Sequence, residues 1–449
     1  MSLLKKYNVL ILTFVSVCFY TFFAYSLERT EFYKLLILWI GLFGSFYFLL
    51  QNKQISFKYW VAIAILFRLV FLFAIPNLSQ DFYRFIWDGR MILEGFNPYL
   101  SLPQTLIEQN NAPILQATEL YKGMGQLNGS HYTNYPPINQ LCFLLAALFS
   151  KHSILGSVIV MRLLIILADI GILYFGKKLL EKLQLPVHNI FLYILNPFVI
   201  IEFTGNLHFE PIMLFFVVWS LYKLQQQKWI WAGVLLACAV SVKLIPLIFL
   251  PLFYQWFVKN ETSYTVGIKK LIGFYTVVLL TIAITFLPFF SLEFIANYSN
   301  SVGLWFRNFE FNASFYYIAR EIGYLFRGYN EIAIIGKTIP LLTVSFLLVL
   351  TFFRRNTSTM QLITAMLFGL SFYYFVSTTM HPWYIGSLLI LSVFTKYRFP
   401  IVWSFVIILS YQAYANIPWK ENLWLITLEY VVLYSFLIWE LDIKKPTQN

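Results

Sequence analysis

The chain has 449 residues, of which 59% are hydrophobic and 12% charged, with a mean hydropathy of +0.70. Soluble domains carry roughly a quarter charged residues, so this composition excludes a water-soluble globular protein. The net charge of +12 comes from lysines and arginines scattered through short loops, which is the pattern of membrane topology and excludes a nucleic-acid partner.

Long, evenly apolar runs without dyad alternation predict an all-α fold, a polytopic membrane helical bundle of about 12 to 14 transmembrane helices. No Gly/Ser linker, low-complexity tract or repeat divides the sequence, so residues 1–449 are read as one integral membrane domain. Cys18, Cys142 and Cys238 lie inside apolar runs and read as packing residues.

Lys5 and Lys6 precede the first span, Tyr7 to Ser26, and place its start in the cytoplasm by the positive-inside rule. Spans from about Tyr33 to Leu50 and Tyr59 to Ile75 follow, with Lys53 and Lys58 between them on the inner side. Three crossings leave Pro76 to Pro137 as an extracytoplasmic loop, far longer than an ordinary connection, and loops of that length are commonly functional.

Within this loop, Asp81, Arg84 and Asp88 share one face of a predicted amphipathic helix, with Ser79 as its N-cap and Gly95 at its end. Asn97-Pro98 then turns the chain away. The helix dipole and Arg84 would both favour ionised Asp81, a carboxylate able to accept a proton. The competing reading is an interfacial helix with aromatics down and charges up, which needs no chemistry.

Tyr135-Pro136-Pro137 forms a rigid, extended entry into the membrane, followed by a short apolar run, Ile138 to Phe149, expected to be re-entrant or interfacial. Further along, Thr204 to Glu210 (TGNLHFE) is expected at the outer face. The run from Trp229 to Phe257 breaks at Val242 to Pro246 and puts Lys243 near an outer turn. A second outer region holds Leu304 to Ser314 (LWFRNFEFNAS), and Phe315 to Phe326 is expected to lie at the surface. His381 to Tyr384 (HPWY) ends a later span on the same side, and Lys444 and Lys445 finish inside.

The ordered set DFYRFIWDGR, GFNPY, NYPP, GNLH, VKLIP, FEFNAS and HPWY resembles the pattern of the GT-C superfamily of integral membrane glycosyltransferases. It is most similar to polyprenyl-phosphate-mannose-dependent mannosyltransferases, including the catalytic subunit of glycosylphosphatidylinositol mannosyltransferase I. The resemblance runs from about Asp81 to Tyr384. It implies an inverting mannosyltransferase of a bacterial cytoplasmic membrane, with its active site facing outward. The implied partners are a polyprenyl-phosphate-linked sugar donor, a glycolipid or glycan acceptor, and membrane lipid.

Residue by residue, the resemblance makes Asp81 the catalytic carboxylate, acting alone or with Asp88, and puts Asn206, His208 and Lys243 around the donor phosphate or sugar, while the charge of a departing phosphate makes Arg84 and Arg90 further candidate donor-binding residues. His381 and Trp383 would form the roof. Asn97, Tyr99, Tyr135, Glu310 and Asn312 would position the acceptor or the loops. Relatives with an Asp-x-Asp pair carry an acid where this chain has Ser79, so no metal is expected, and no cofactor motif is present. Other readings stand beside these. Lys243 could snorkel, His208 and His381 could be helix caps, and Glu310 with Asn312 could belong to an aromatic interfacial loop. At the level of the whole chain, the alternatives are a transporter or flippase of lipid-linked sugars and an inactive scaffold subunit.

Overall fold

The computed structural model describes residues 3–52, 55–307, 309–416 and 419–443, excepting the side chains of residues 3–7 and 304–307. Lys53, Lys444 and Lys445, expected on the inner side, lie outside the described residues, as do the side chains of Lys5 and Lys6. The described chain is helical throughout, apart from one isolated bridge between Phe311 and Thr379.

Among the described residues seven helices are long and apolar enough to cross a membrane, and the chain is a multi-pass membrane protein. Three come early: α1 (Leu3–Tyr25), α2 (Phe32–Leu50) and, after the loop, α8 (Ile154–Lys182). The others are Tyr264–Phe289, Ile332–Phe353, Thr359–Val376 and Leu423–Ile443. An eighth crossing is a bent pair, Val187–Ile194 and Pro197–Gly205, meeting at 51°. Five shorter apolar helices, among them α7 (Pro137–Ser150), fall below that length, so the described residues hold seven or eight candidate spans where the sequence led to an expectation of 12 to 14. At 1.5 Å per residue α7 is about 21 Å long, short of the roughly 30 Å hydrocarbon core.

Between α3 (Phe57–Leu69) and α7 the long loop folds into three helices, α4 (Asp81–Leu93), α5 (Pro103–Glu108) and α6 (Ala117–Gly129). The start of α4 differs by one residue from the sequence expectation: Gln80 occupies the N-cap, while the Ser79 hydroxyl accepts from the Asp81 N–H at 3.3 Å. Its end follows the pattern. Gly95 takes φ +84°, the Gly95 N–H donates to Ile92 O and the Phe96 N–H to Met91 O at 2.9 Å, closing the helix on a glycine free to adopt that conformation.

Buried apolar side chains from α1 to the C-terminal helix form one contiguous core. Under α4 that core is aromatic. Phe85 stacks on Phe143 of α7 at 4.6 Å and meets Tyr135 and Phe209 edge-on at 4.9 and 5.5 Å. The two helices approach so closely at Gly89 that an added Cβ would lie 2.2 Å from the Phe143 carbonyl oxygen. Three deeper polar side chains are matched within the bundle. Asp169 of α8 accepts from Arg68 Nε at 2.8 Å, and Arg162 turns to backbone carbonyls instead of sharing that pair.

Because the obstruction at Gly89 is backbone rather than a movable side chain, Gly89→Ala is expected to push α4 off α7. The cost should be about 1–3 kcal/mol, the range for overpacking a close-packed interior, read as a lowered thermal unfolding temperature of the purified protein in detergent. Unchanged stability would mean that the two helices are not in contact there.

Candidate active site

The chain segments that surround α4 enclose a cavity of about 360 Å³. Its wall carries the carboxylates Asp81 and Glu210, the cations Arg29, Arg84 and Lys243, and three histidines, His131, His208 and His381. Tyr135 and Trp383 line it as well. Residues far apart in sequence therefore meet at one chamber, and each arrives by an identifiable route.

Asp81 stands at the first turn of α4, where Asn128 at the end of α6 donates from Nδ2 to its Oδ1 at 3.2 Å. Burial pushes its carboxyl above the ordinary Asp range, outweighing the opposing pull of the Asn128 hydrogen bond and of the Lys243 and Arg29 charges. This corrects the expectation that Arg84 and the helix dipole hold Asp81 ionised. Arg84 is committed elsewhere: its Nε pairs with Asp88 Oδ1 at 2.8 Å, and its Nη1 donates to the carbonyls of Asn128 and His131 at 2.7 and 2.8 Å. Asp88 is fully buried and also accepts from Gln140 Nε2 of α7 at 3.0 Å, so it ties α4 to α7 and does not line the cavity.

The GNLH segment follows the bent pair, whose second half ends as a π-helix, Ile200–Gly205. Freed carbonyls there are taken by Arg162 of α8, which donates from Nε to Thr204 O at 2.7 Å and from Nη2 to Gly205 O at 3.0 Å. Leu207, with no side-chain freedom to excuse it, is held at φ +60°, a left-handed conformation costly for a branched residue. Asn206 turns away from the cavity, its Oδ1 accepting from Leu78 N at 3.2 Å, so it fastens this segment to the chain leading into α4. His208 turns inward. Its ring stacks on Trp383 at 3.9 Å and its Nε2 is 3.6 Å from Glu202 Oε2.

Trp383 stacks in turn on His381 at 4.5 Å and 6°, giving a column of three parallel rings. Burial, with Lys243 nearby, holds both imidazoles low, His381 at about 3 and His208 well below its usual value. Both rings are therefore neutral near pH 7. They can give or take a hydrogen bond but supply no charge to an anion.

Lys243 sits where the Trp229–Val240 helix breaks before Ile245, and its ammonium pairs with Glu210 at the start of the Glu210–Gln225 helix. Arg29 comes from the turn between α1 and α2, its guanidinium 3.4 Å from the Tyr414 ring centroid. Neither Arg29, Glu210 nor Asn128 was singled out from the sequence. Glu210 closes the TGNLHFE motif and could have been found there, whereas Arg29 and Asn128 carry no local signal.

Other expected site residues lie off the cavity. Arg90 donates to Leu115 O at 2.7 Å and to Gln116 Oε1 at 3.1 Å, bracing the lead-in to α6. Asn97 Oδ1 accepts from Tyr99 N at 3.1 Å and its Nδ2 donates to Phe289 O at 3.2 Å, while the Tyr99 hydroxyl donates to Tyr135 O. Glu310 is held by Arg320 at 2.7 Å and Tyr316 at 2.6 Å. Asn312 engages Glu421 and Glu429 at 2.6 and 3.1 Å, and between them the Phe311 backbone clasps Thr378 and Met380 beside His381. Among the described residues no three His, Cys, Asp or Glu side chains converge as metal ligands.

Fold and site together define a multi-pass helical membrane protein in which the partly buried carboxylate of Asp81 and several basic side chains line one chamber. Residues 16–259 match the family described as Alpha-(1->6)-mannopyranosyltransferase, N-terminal domain, and the chain belongs to that family. It is similar to the Alpha-(1->6)-mannopyranosyltransferase A of Corynebacterium glutamicum, with 26% identity over 209 residues. That match covers 44% of this chain and 39% of the relative's length. The family match takes in Arg29, Asp81, Glu210 and Lys243 and ends before His381 and Trp383.

Removing the Asn128 hydrogen bond takes away one of the influences that lower the Asp81 pKa, so Asn128→Ala is expected to raise it further. The protonated-carboxyl infrared band of Asp81, assigned by its loss in Asp81→Asn, should persist to higher pH in Asn128→Ala than in the wild type. A band that disappears at the same pH in both would show that Asn128 does not act on this carboxylate.

Proposed function

We propose that this chain is a GT-C type inverting mannosyltransferase that moves mannose from a polyprenyl-phosphate donor to a glycolipid or glycan acceptor on the outer face of a bacterial cytoplasmic membrane. The observation that carries the reading is the placement of Asp81 on the wall of a chamber shared with Lys243 and Arg29. The family match and the corynebacterial relative support the sugar.

In this mechanism the acceptor hydroxyl attacks the anomeric carbon and gives its proton to the Asp81 carboxylate. A new C–O bond forms to the acceptor oxygen. The bond from the anomeric carbon to the phosphate oxygen breaks, and its electron pair leaves with the polyprenyl phosphate. Burial makes Asp81 a stronger base than a surface carboxylate, which favours proton transfer in the transition state. Cations beside the phosphate stabilise the charge that develops on it. One displacement gives inversion; retention would need a second nucleophilic carboxylate, and Glu210 is already paired with Lys243. His208 and His381, being neutral, are left to orient hydroxyls by hydrogen bonding.

The test is transfer from radiolabelled polyprenyl-phosphate-mannose, against the glucose and arabinose analogues, in membranes carrying wild type or Asp81→Asn. Mannose should be transferred, and the substitution should lower turnover by about 10²–10⁴-fold, the usual contribution of a positioned base. Activity of the wild type should rise with pH through a limb lying above 3.8, because Asp81 works only when deprotonated and its pKa is raised. Full turnover by Asp81→Asn would remove the base, exclusive use of a nucleotide sugar would remove the donor class, and movement of the lipid-linked sugar without transfer would indicate a transporter.

A further inference from the structure

Counting charges around the chamber singles out one side chain. Arg84 is neutralised by Asp88 at 2.8 Å, and Lys243 by Glu210. Arg29 lines the same chamber, yet among the described residues no carboxylate lies within ion-pair distance of it. Its Nε is buried without a hydrogen-bond partner. What holds the guanidinium is aromatic: the Tyr414 ring at 3.4 Å and the Trp419 ring at 5.1 Å. Stacking of this kind fixes the plane of an arginine; a hydrogen bond with the Tyr414 side chain helps to hold it, and the unpartnered Nε is left for an incoming anion.

The turn that presents Arg29 is built to stay in place. Asn77, from the segment leading into α4, donates through Nδ2 to Phe23 O at 2.7 Å and to Leu27 O at 2.9 Å. Glu31 accepts from the Glu28 N–H at 2.8 Å across the turn and pairs with Lys34, so its charge is used locally. The Tyr25 hydroxyl anchors the end of α1 to Val70 O at 2.9 Å. A pre-positioned cation with an unfilled Nε donor and no carboxylate at ion-pair distance among the described residues, facing a chamber whose other cations are already matched, is arranged to meet an incoming negative charge.

We infer that Arg29 binds the phosphate of the lipid donor and stabilises the negative charge released onto it when the sugar departs. This deepens the lipid-phosphate reading and rests on it. A sugar phosphodiester carries one negative charge. Cleavage of the bond to the anomeric carbon leaves a monoester, whose second ionisation lies near pH 6. A cation not already matched by the protein gains most when that second charge appears, so Arg29 should act on turnover and on the monoester product more than on binding of the diester donor.

The experiment uses the full chain purified in detergent, with Arg29→Gln, Arg29→Lys and, as a control on the exposed part of the same turn, Glu28→Gln. Mannose transfer is measured alongside inhibition by decaprenyl phosphate. Arg29→Gln should lower kcat by about 10²-fold, as for loss of one transition-state charge donor, with a smaller change in KM for the donor. Inhibition by decaprenyl phosphate should weaken at least tenfold, Arg29→Lys should recover part of both losses, and Glu28→Gln should behave as wild type.

A charge-specific readout separates this role from a structural one, and its first arm needs no Arg29 variant. Decaprenyl phosphate binding to Asp81→Asn, where that carboxyl cannot titrate, should tighten between pH 5.5 and 7.5 as the second charge forms. Arg29→Gln in the same background should lose the tightening. The inference is overturned if binding to Asp81→Asn does not strengthen with pH. It is also overturned if Arg29→Gln keeps wild-type kcat and inhibition, or if it weakens diester and monoester equally. Should the wild type neither transfer mannose from the lipid donor nor bind decaprenyl phosphate, the donor class itself fails. Should it do both while Arg29→Gln is unchanged, only the role of Arg29 falls.

Discussion

A helix that bends or ends inside a bilayer frees backbone carbonyls that no water is present to satisfy; at the bend Arg68 Nη1 donates to Ile194 O at 2.8 Å, and at the far end of the pair Arg162 grips Thr204 O and Gly205 O together with Leu72 O. One guanidinium on α8 thereby joins the end of the bent pair to the chain that leaves α3. The strained Leu207 persists because its neighbours are fixed on both sides, by Arg162 before it and by the His208 ring on Trp383 after it. Asn206, bonded to Leu78, passes that constraint forward to the start of α4. Asp81 and His208 are thus placed by one connected set of hydrogen bonds, even though they belong to different parts of the chain.

The electrostatics follow from the same economy. Removing one partner from a buried ion pair typically costs about 3–5 kcal/mol, so the bundle commits Arg68 to Asp169, Arg84 to Asp88 and Lys243 to Glu210. Those commitments leave Asp81 with a single neutral donor, Asn128, and Arg29 with aromatic rings. A carboxylate without a salt-bridge partner retains basicity, and an arginine without one retains affinity for anions. The two groups to which the proposed reaction assigns its base and its anion partner are those the scaffold left without an ion pair.

Much of this arrangement could be read from the residues. The helical nature of the chain, α4 with its glycine end, the break around Lys243 and the meeting of distant polar motifs all follow from hydropathy, caps and proline positions. What could not be read was the choice among equivalent partners. Arg84 stands three residues after Asp81 and four before Asp88, and helical spacing permits either pair; Gln140 of α7, reaching Asp88 from across an interface, decides it. The resemblance places Asn206 at the donor with His208, but the direction of its side chain depends on where Leu78 packs. Arg29 lies in a short charged turn indistinguishable from a topology signal, and only the fold brings it against Tyr414. Apolar runs likewise indicate where the chain enters lipid without fixing how many residues each pass uses, so short pieces such as α7 escape a count by length.

The stacked column of His208, Trp383 and His381 limits how a hexose could be read in this chamber. Many carbohydrate sites lay the flat, hydrogen-rich face of a pyranose against an exposed indole. Here the indole already stacks with two imidazoles, at 3.9 and 4.5 Å, so face area that a sugar could use is taken up by protein. On the proposed reading, discrimination between epimers falls to directional polar contacts beside the stacked rings. A pocket of that kind distinguishes an axial from an equatorial hydroxyl through the geometry of a few donors and acceptors, and it is indifferent to the overall apolar area of the sugar.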